Sequence, residues 1–321
     1  MRLVRYNIVL KQFYYILFIV VLLMAMPAKA QYDPSFSHYW GMETSFNPAA
    51  AGKESVLNVA GAYNMTLTGF ENNPKTMYAG ADMPFYFLRS YHGVGAQFVN
   101  DQIGLFSHKK FALQYAFRFK LFGGMLGVGA HLGMLSESFD GSKVDTETPN
   151  DPAFPSSEVT GSGLDLGAGL YYRHGPWYAG LSVMHANAPE MELGERQTFK
   201  VDQTFYLTGG YNIKLRNPFL TIHPSVLCRY DGVGYRADVT GRVKYTNDKK
   251  VMWAGLGYSP TNSVTVMLGG NFHGISLGYS YEIYTSAISI GNGSHELFIG
   301  YQTDLNLQKK GRNKHKSVRI L

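Results

Sequence analysis

From Gly52 onward one local rule recurs along the chain: apolar residues alternate with small or polar ones at a period of two. Between Phe111 and Leu121, one side carries Phe111, Leu113, Tyr115, Phe117, Phe119 and Leu121, and the other Ala112, Gln114, Ala116, Arg118 and Lys120. Successive side chains of a strand point to opposite faces, so this pattern specifies a strand with one greasy and one wet face. The same holds for Leu57 to Leu67, Leu126 to Met134 and Tyr235 to Lys244. Fourteen such segments are expected, near 55–67, 76–85, 93–100, 108–121, 125–135, 164–172, 177–185, 199–213, 219–230, 235–245, 251–258, 263–271, 275–284 and 294–302.

Composition decides between a soluble sandwich and a membrane barrel. Only 16% of residues are charged, against 45% hydrophobic and 36 glycines. A sandwich turns a charged face to water, whereas the wet faces here are mostly Gly, Ala, Ser, Asn and Thr. Small residues suit a crowded barrel interior, and aromatics such as Tyr63, Phe119, Tyr172, Tyr211, Tyr235, Tyr245 and Tyr301 suit interfacial girdles. In lipid the backbone must satisfy itself, so strands without intervening helices must close. The expected fold is therefore all-β: a transmembrane antiparallel β-barrel of the outer membrane with about fourteen strands. Loop parity agrees: the long connections 136–163, 186–198 and 285–293 are all odd-numbered, and connections such as 122–124, 173–176 and 272–274 are even-numbered and short.

The ends differ from the body. Arg2 and Arg5, a 14-residue apolar run from Phe13 to Met26, and Ala28-Lys29-Ala30 form a secretory signal, expected to be cut after Ala30. The 29 basic and 23 acidic residues give a net charge of +6. Four of those cations lie in the signal, and Lys309, Lys310, Arg312, Lys314, Lys316 and Arg319 lie in the tail. The stretch Gln31–Gln302 has 19 basic and 22 acidic residues, a net of −3, which argues against a nucleic-acid groove. The lone Cys228 allows neither an internal disulfide nor a cysteine metal cluster. The expected organisation is a signal peptide at 1–30, a periplasmic segment at 31–54, the barrel at 55–302 and a basic periplasmic tail at 303–321.

Motifs that suggest catalysis fall in the wrong context. Gly274-Ile275-Ser276-Leu277-Gly278 matches a nucleophile elbow, which requires a strand-to-helix turn, yet it sits within a continuous alternating strand. Gly127, Gly129 and Gly133 miss the spacing of a nucleotide-binding loop and precede no helix. Acids at 137, 140, 145, 147, 151 and 158 cluster in one connection without the order of a calcium-binding loop. No catalytic residue, metal ligand set or cofactor is expected. The inward charges Asp82, Arg118, Lys120, Asp165, Arg236, Asp238, Arg242, Lys244 and Glu282 fit either a water-filled pore or a lumen in which they pair.

The mature chain opens Gln31-Tyr32-Asp33-Pro34-Ser35-Phe36-Ser37-His38-Tyr39, continues through Phe46-Asn47-Pro48-Ala49-Ala50-Ala51-Gly52, and enters its last strand at Gly293-Ser294-His295-Glu296-Leu297. In that order these motifs resemble the PorP/SprF family of Bacteroidota outer-membrane proteins of type IX secretion and gliding. The resemblance implies a non-enzymatic component that works with periplasmic lipoprotein-ring and peptidoglycan-binding proteins, and in some members with cargo bearing type B C-terminal signals. The tail is longer and more basic than the family pattern. With an even strand number both ends emerge on one face, so Asp33, Pro34, Phe36, Asn47, Pro48 and the five basic residues Lys309 to Lys316 are candidate partner contacts, unless the leading segment plugs the barrel mouth. His295 and Glu296 point to opposite faces and are expected to serve strand closure or a girdle. A channel for small or hydrophobic solutes is the alternative function.

Overall fold

The computed structural model describes residues 33–144, 155, 157–194, 197–248, 250–285 and 293–305. Fourteen antiparallel strands form the wall: β1 (Val56–Met65), β2 (Lys75–Phe87), β3 (Ser90–Ile103), β4 (Phe106–Leu121), β5 (Gly124–Asp140), β6 (Glu158–His174) and β7 (Trp177–Met184). They are followed by β8 (Thr204–Tyr211, prolonged by Ile213–Lys214), β9 (Leu220–Tyr230), β10 (Tyr235–Asn247), β11 (Lys250–Ser259), β12 (Ser263–Phe272), β13 (Ile275–Tyr284) and β14 (Ser294–Asp304). Each strand pairs with the next, and β14 returns to β1 in a register running from Val56 opposite Asp304 to Met65 opposite His295. Closure leaves no edge strand, which is the condition for crossing lipid with strands.

The alternation sets the faces as expected. On β4, Phe111, Leu113, Tyr115 and Phe117 are exposed outward, while Ala112, Gln114, Ala116 and Arg118 are buried inward. Tyr63, Tyr211, Tyr235, Tyr245 and Tyr301 are exposed near the rims, where an aromatic ring can lie between lipid and water. We call the rim where β1 begins and β14 ends the terminal rim, and the opposite one the loop rim. Connections at the terminal rim are short, as at Leu88–Arg89, Phe122–Gly123 and Gly175–Pro176.

The two largest differences from the expected boundaries lie at the loop rim. The connection anticipated at 136–163 is shorter, because β5 runs on to Asp140 and β6 starts at Glu158. The expected strand 199–213 is divided: Gln197–Lys200 pairs with Glu190–Leu193 in a separate hairpin, and the wall resumes at Thr204. The hairpin has its own reason to form. Met191 and Val201 join Leu135 in a buried cluster, with Phe199 against it. Apolar alternation continues through 199–201, so the sequence pattern alone did not mark the break.

A larger difference concerns the segment before β1. Its residues from Asp33 to Gly52 fill the lumen, with Asp33, His38, Tyr39, Met42 and the stretch Phe46–Gly52 all buried. The anticipated periplasmic strip at 31–54 is, over its described residues before Lys53, an interior plug. A fourteen-stranded barrel is wider than its own side chains can fill, and here the wall is lined by glycine and alanine, so another part of the chain must occupy the space.

Candidate functional site

The plug descends from the loop-rim half of the lumen to the terminal rim. It does so through three short 3-10 turns, Tyr39–Gly41, Glu43–Ser45 and Pro48–Ala50. The last is set by its sequence: Asn47 caps it by accepting from the Ala49 amide at 2.9 Å, and Pro48 supplies a fixed φ at the first helical position. Wall glycines make room for this turn. A Cβ at Gly129 would lie 2.5 Å from the Ala49 nitrogen, and one at Gly127 would lie 2.9 Å from the Ala49 oxygen. The Gly127 and Gly129 pair is therefore a cradle for plug backbone. Gly52, with φ +62°, turns the chain toward β1 beside Gly93.

In the loop-rim half, charges close around Asp33. Tyr206 donates to Asp33 Oδ2 at 2.6 Å, His185 Nε2 lies 3.1 Å from Oδ1, and Lys110 Nζ is 3.6 Å from Oδ1. Arg229 donates to the Asp33 carbonyl and, at 2.7 Å, to Ser35 Oγ. His185 Nδ1 meets Asp165 Oδ1 at 2.8 Å, and Asp165 Oδ2 is 3.0 Å from His131 Nε2. Because ionised carboxylates only accept, both ring nitrogens of His185 donate, and the ring is a cation. Burial alone would raise the Asp33 carboxyl, but Lys110 and His185 outweigh it and hold Asp33 well below the usual carboxylate range. Burial likewise opposes the His185 cation, yet Asp33 and Asp165 push its pKa up to about 9.

Further along, Glu296 of β14 accepts from the Ser37 amide at 2.7 Å, the His38 amide at 2.9 Å and His38 Nδ1 at 2.6 Å. Arg118 donates to the carbonyls of Ala49 at 2.8 Å and Ala51 at 3.0 Å, and Asp82 accepts from the Gly52 amide at 2.8 Å. Gln114 donates to the Thr44 carbonyl at 2.6 Å, and Asn47 Nδ2 to the Leu170 carbonyl at 3.0 Å. The plug is thus tied to the wall through its backbone as well as its side chains.

Below the plug, at the terminal rim, lies a vestibule of about 330 Å³ roofed by Trp40, Gly41 and Glu43. Its wall carries Arg242 and Lys244 on β10, His223 on β9 and Trp253 on β11. The Arg242 guanidinium lies 3.6 Å over the Trp40 ring, and its Nε is buried without an acceptor, as is Trp40 Nε1. The other charges there have partners: Lys53 pairs with Glu43 at 2.7 Å, Arg173 lies 3.9 Å from Glu54, and Asp82 holds Asn58 at 2.9 Å besides Gly52.

The candidate contacts named from sequence are distributed accordingly. Asp33, Pro34 and Phe36 stand together in the loop-rim half, and Asn47 and Pro48 press against the wall lower down. Asp33, Asn47 and Pro48 are buried against the wall. The Gly293 carbonyl accepts from the Thr68 amide and hydroxyl, and Ser294 Oγ accepts from the Leu67 amide at 3.0 Å, so this part of the motif does tie the barrel seam. His295 reaches the Tyr279 hydroxyl at 2.7 Å, whereas Glu296 anchors the plug, a role the sequence reading did not give it. Lys309, Lys310, Arg312, Lys314 and Lys316 lie outside the described residues, as do Asp145, Glu147 and Asp151. Among the described residues no group of three His, Cys, Asp or Glu side chains is placed to hold a metal ion. Ser276 sits inside β13, not on a turn, and its Oγ accepts from Asn271 at 2.9 Å. Of the inward charges, Asp82, Arg118 and Asp165 hold the plug or its latch, and Arg236 pairs with Asp238 and Glu282 at 2.9 and 3.0 Å. Lys110, His185, Tyr206 and Arg229 were missed; the inward parity of Lys110 beside Gln114 was the available signal.

The family model described as type IX secretion system membrane protein PorP/SprF matches residues 28–301. No curated protein matches the sequence. Among solved structures, the P. putida toluene transporter TodX is similar at 9% identity and TM-score 0.49, covering 81% of this chain and 92% of its own. A Pseudomonas aeruginosa FadL homologue follows at 10% identity and TM-score 0.45, with 78% and 89% covered. A mutant Rh. blastica porin gives 9% and 0.31, with 77% and 99% covered.

Proposed function

The chain belongs to the PorP/SprF family of type IX secretion system membrane proteins, and from that premise we propose that this plugged barrel links the outer membrane to periplasmic secretion machinery or to secreted cargo. The observation that carries the reading is the family match across 28–301, which spans the plug, the wall and most of the last strand together. The partners it implies are periplasmic lipoprotein-ring and peptidoglycan-binding proteins, and cargo with type B C-terminal signals. The terminal rim then faces the periplasm, and the basic residues from Lys309 to Lys316, which follow the last strand in sequence, serve as an electrostatic contact.

A plug hydrogen-bonded to wall strands through both backbone and side chains supports a protein-binding role over free solute passage. The reaction chemistry of an enzyme has no part in the proposal. Deleting the gene should leave type IX cargo unsecreted or unanchored, and normal handling of all such cargo would sink the reading. Removing residues 309–321 should leave the barrel folded while lowering recovery of periplasmic partners in mild detergent. That loss should shrink at high salt, since screening weakens exposed charge contacts.

A further inference from the structure

We propose that the vestibule under the plug is a binding site for a carboxylate-bearing peptide segment that enters through the terminal rim. This rests on the reading that the terminal rim faces periplasmic partners, and it names the chemistry of one contact.

The cavity, at about 330 Å³, falls in the size range of sites that enclose a ligand. Its lining sets the cations Lys53, Arg173, Arg242 and Lys244 against the acids Glu43, Glu54 and Asp82, an excess of one positive charge, and Glu54 lies closest in pairing to Arg173, at 3.9 Å. Lys53 is answered by Glu43, and Asp82 by the Gly52 amide and Asn58. Among the described residues neither Arg242 nor Lys244 has an ion pair or hydrogen bond, although both face the cavity from the same side of β10. Stacking on Trp40 fixes the plane of the Arg242 guanidinium while leaving its Nε buried and without an acceptor. A guanidinium held flat and unanswered is half of a bidentate pair with a carboxylate, and Lys244 two residues on supplies a second cation.

The rest of the lining selects a peptide over a bare anion. Trp40, Tyr178, Trp253 and Phe298 flank the two cations, so the complementary ligand carries an acid next to apolar side chains. An acidic residue neighbouring an aromatic one, on an extended chain, meets both needs. Inorganic phosphate meets only the first.

The test uses the protein's own fluorescence, because two of its three tryptophans, Trp40 and Trp253, line the vestibule. The full-length barrel in detergent is titrated with an acetylated peptide alternating Glu and Phe, with the same peptide carrying Lys for Glu, and with inorganic phosphate. We expect saturable quenching by the acidic peptide, at least tenfold weaker for the lysine peptide and for the Arg242→Gln/Lys244→Gln variant. Lys244→Gln alone, which leaves the Trp40 stack untouched, should weaken binding severalfold; heat-modified gel mobility reports that each variant is folded. No saturable response, or equal affinity in the folded variants, would overturn the site. Phosphate binding as tightly as the peptide would replace it with a small-anion site. If peptide binding holds but cargo secretion is indifferent to gene deletion, the type IX reading fails and the site stands; the converse removes the site alone.

Discussion

The two halves of the lumen are built from the same kind of wall and use their charges in opposite ways. In the loop-rim half, Asp33, Asp165, His131 and His185 bond to one another, and Lys110 and Arg229 close on Asp33. In the terminal-rim half, Arg242 and Lys244 face an open vestibule. In sequence Asp165, Arg242 and Lys244 read alike, as inward charges on alternating strands. What separates them is whether plug backbone comes within reach. A buried charge is tolerated only when paired or hydrogen-bonded, so the first set is part of the fold, and the second has capacity left for a ligand.

Glu296, which is 2% exposed, answers three donors of the plug. Glu296→Ala should cost about 3–5 kcal/mol of plug seating, because it strands the buried His38 amide and ring and the half-buried Ser37 amide. A cysteine placed at Ser37 in a Cys228→Ser background should then label with maleimide far faster than in the parent. Unchanged protection would mean that the plug is held elsewhere.

The Asp33 latch should respond to pH with a defined sign. His185 has a pKa raised above its ordinary value, so its contribution is full below about 6.5 and is lost as pH rises through about 9. Asp33 is depressed, so its contribution is present above about 4 and is lost only in acid. Seating of the plug should therefore hold between about pH 5 and 6.5 and loosen toward pH 10, by at most roughly 3–4 kcal/mol. The groups facing His185 are Asp33 and Asp165, with Lys110, Tyr206, Arg229 and His131 around them. His185→Gln should flatten the alkaline limb of a labelling-rate profile; a limb that persists would assign it to another group.

Sterics give a somewhat smaller effect. Gly129→Val drives a side chain into the Ala49 backbone, which Asn47 and Arg118 hold in place, and should cost about 2–3 kcal/mol. Gly241, with nothing within 4 Å of an added Cβ, is the control: Gly241→Ala should leave thermal unfolding nearly unchanged.

The strand count, the lipid face and closure were legible because they depend on a period-two pattern that survives local noise, as Phe111 to Leu121 shows. The plug was not legible as a plug. Residues 33–52 have no strong period, and their order makes sense only against the wall: Asn47 needs Leu170, and Ala49 needs Gly127 and Gly129. Glu296 and His38 are 258 positions apart, and no local rule pairs them. The Gln197–Lys200 hairpin was missed for the reverse reason, since alternation ran through a break that only the Met191 and Val201 packing explains. The motifs around Asp33–Tyr39 and Gly293–Leu297 pointed to the family, and the geometry brings them together where the Ser37 and His38 amides meet Glu296.

The smallest expected effect is at Lys244. If the vestibule cations are idle in the fold, Lys244→Gln should shift stability by no more than about 0.5 kcal/mol, like a surface change away from packing or pairing. Asp82→Asn, at a residue that lines the same vestibule but is bonded to the Gly52 amide at 2.8 Å and to Asn58 at 2.9 Å, should cost about 1–3 kcal/mol. Both variants are read by the temperature at which the folded gel band disappears. Equal shifts would mean that Lys244 is structural and that the terminal-rim half spends its charges as the loop-rim half does. A shift for Asp82 alone leaves Lys244 with no role in stability, and its cationic head available to an acidic partner.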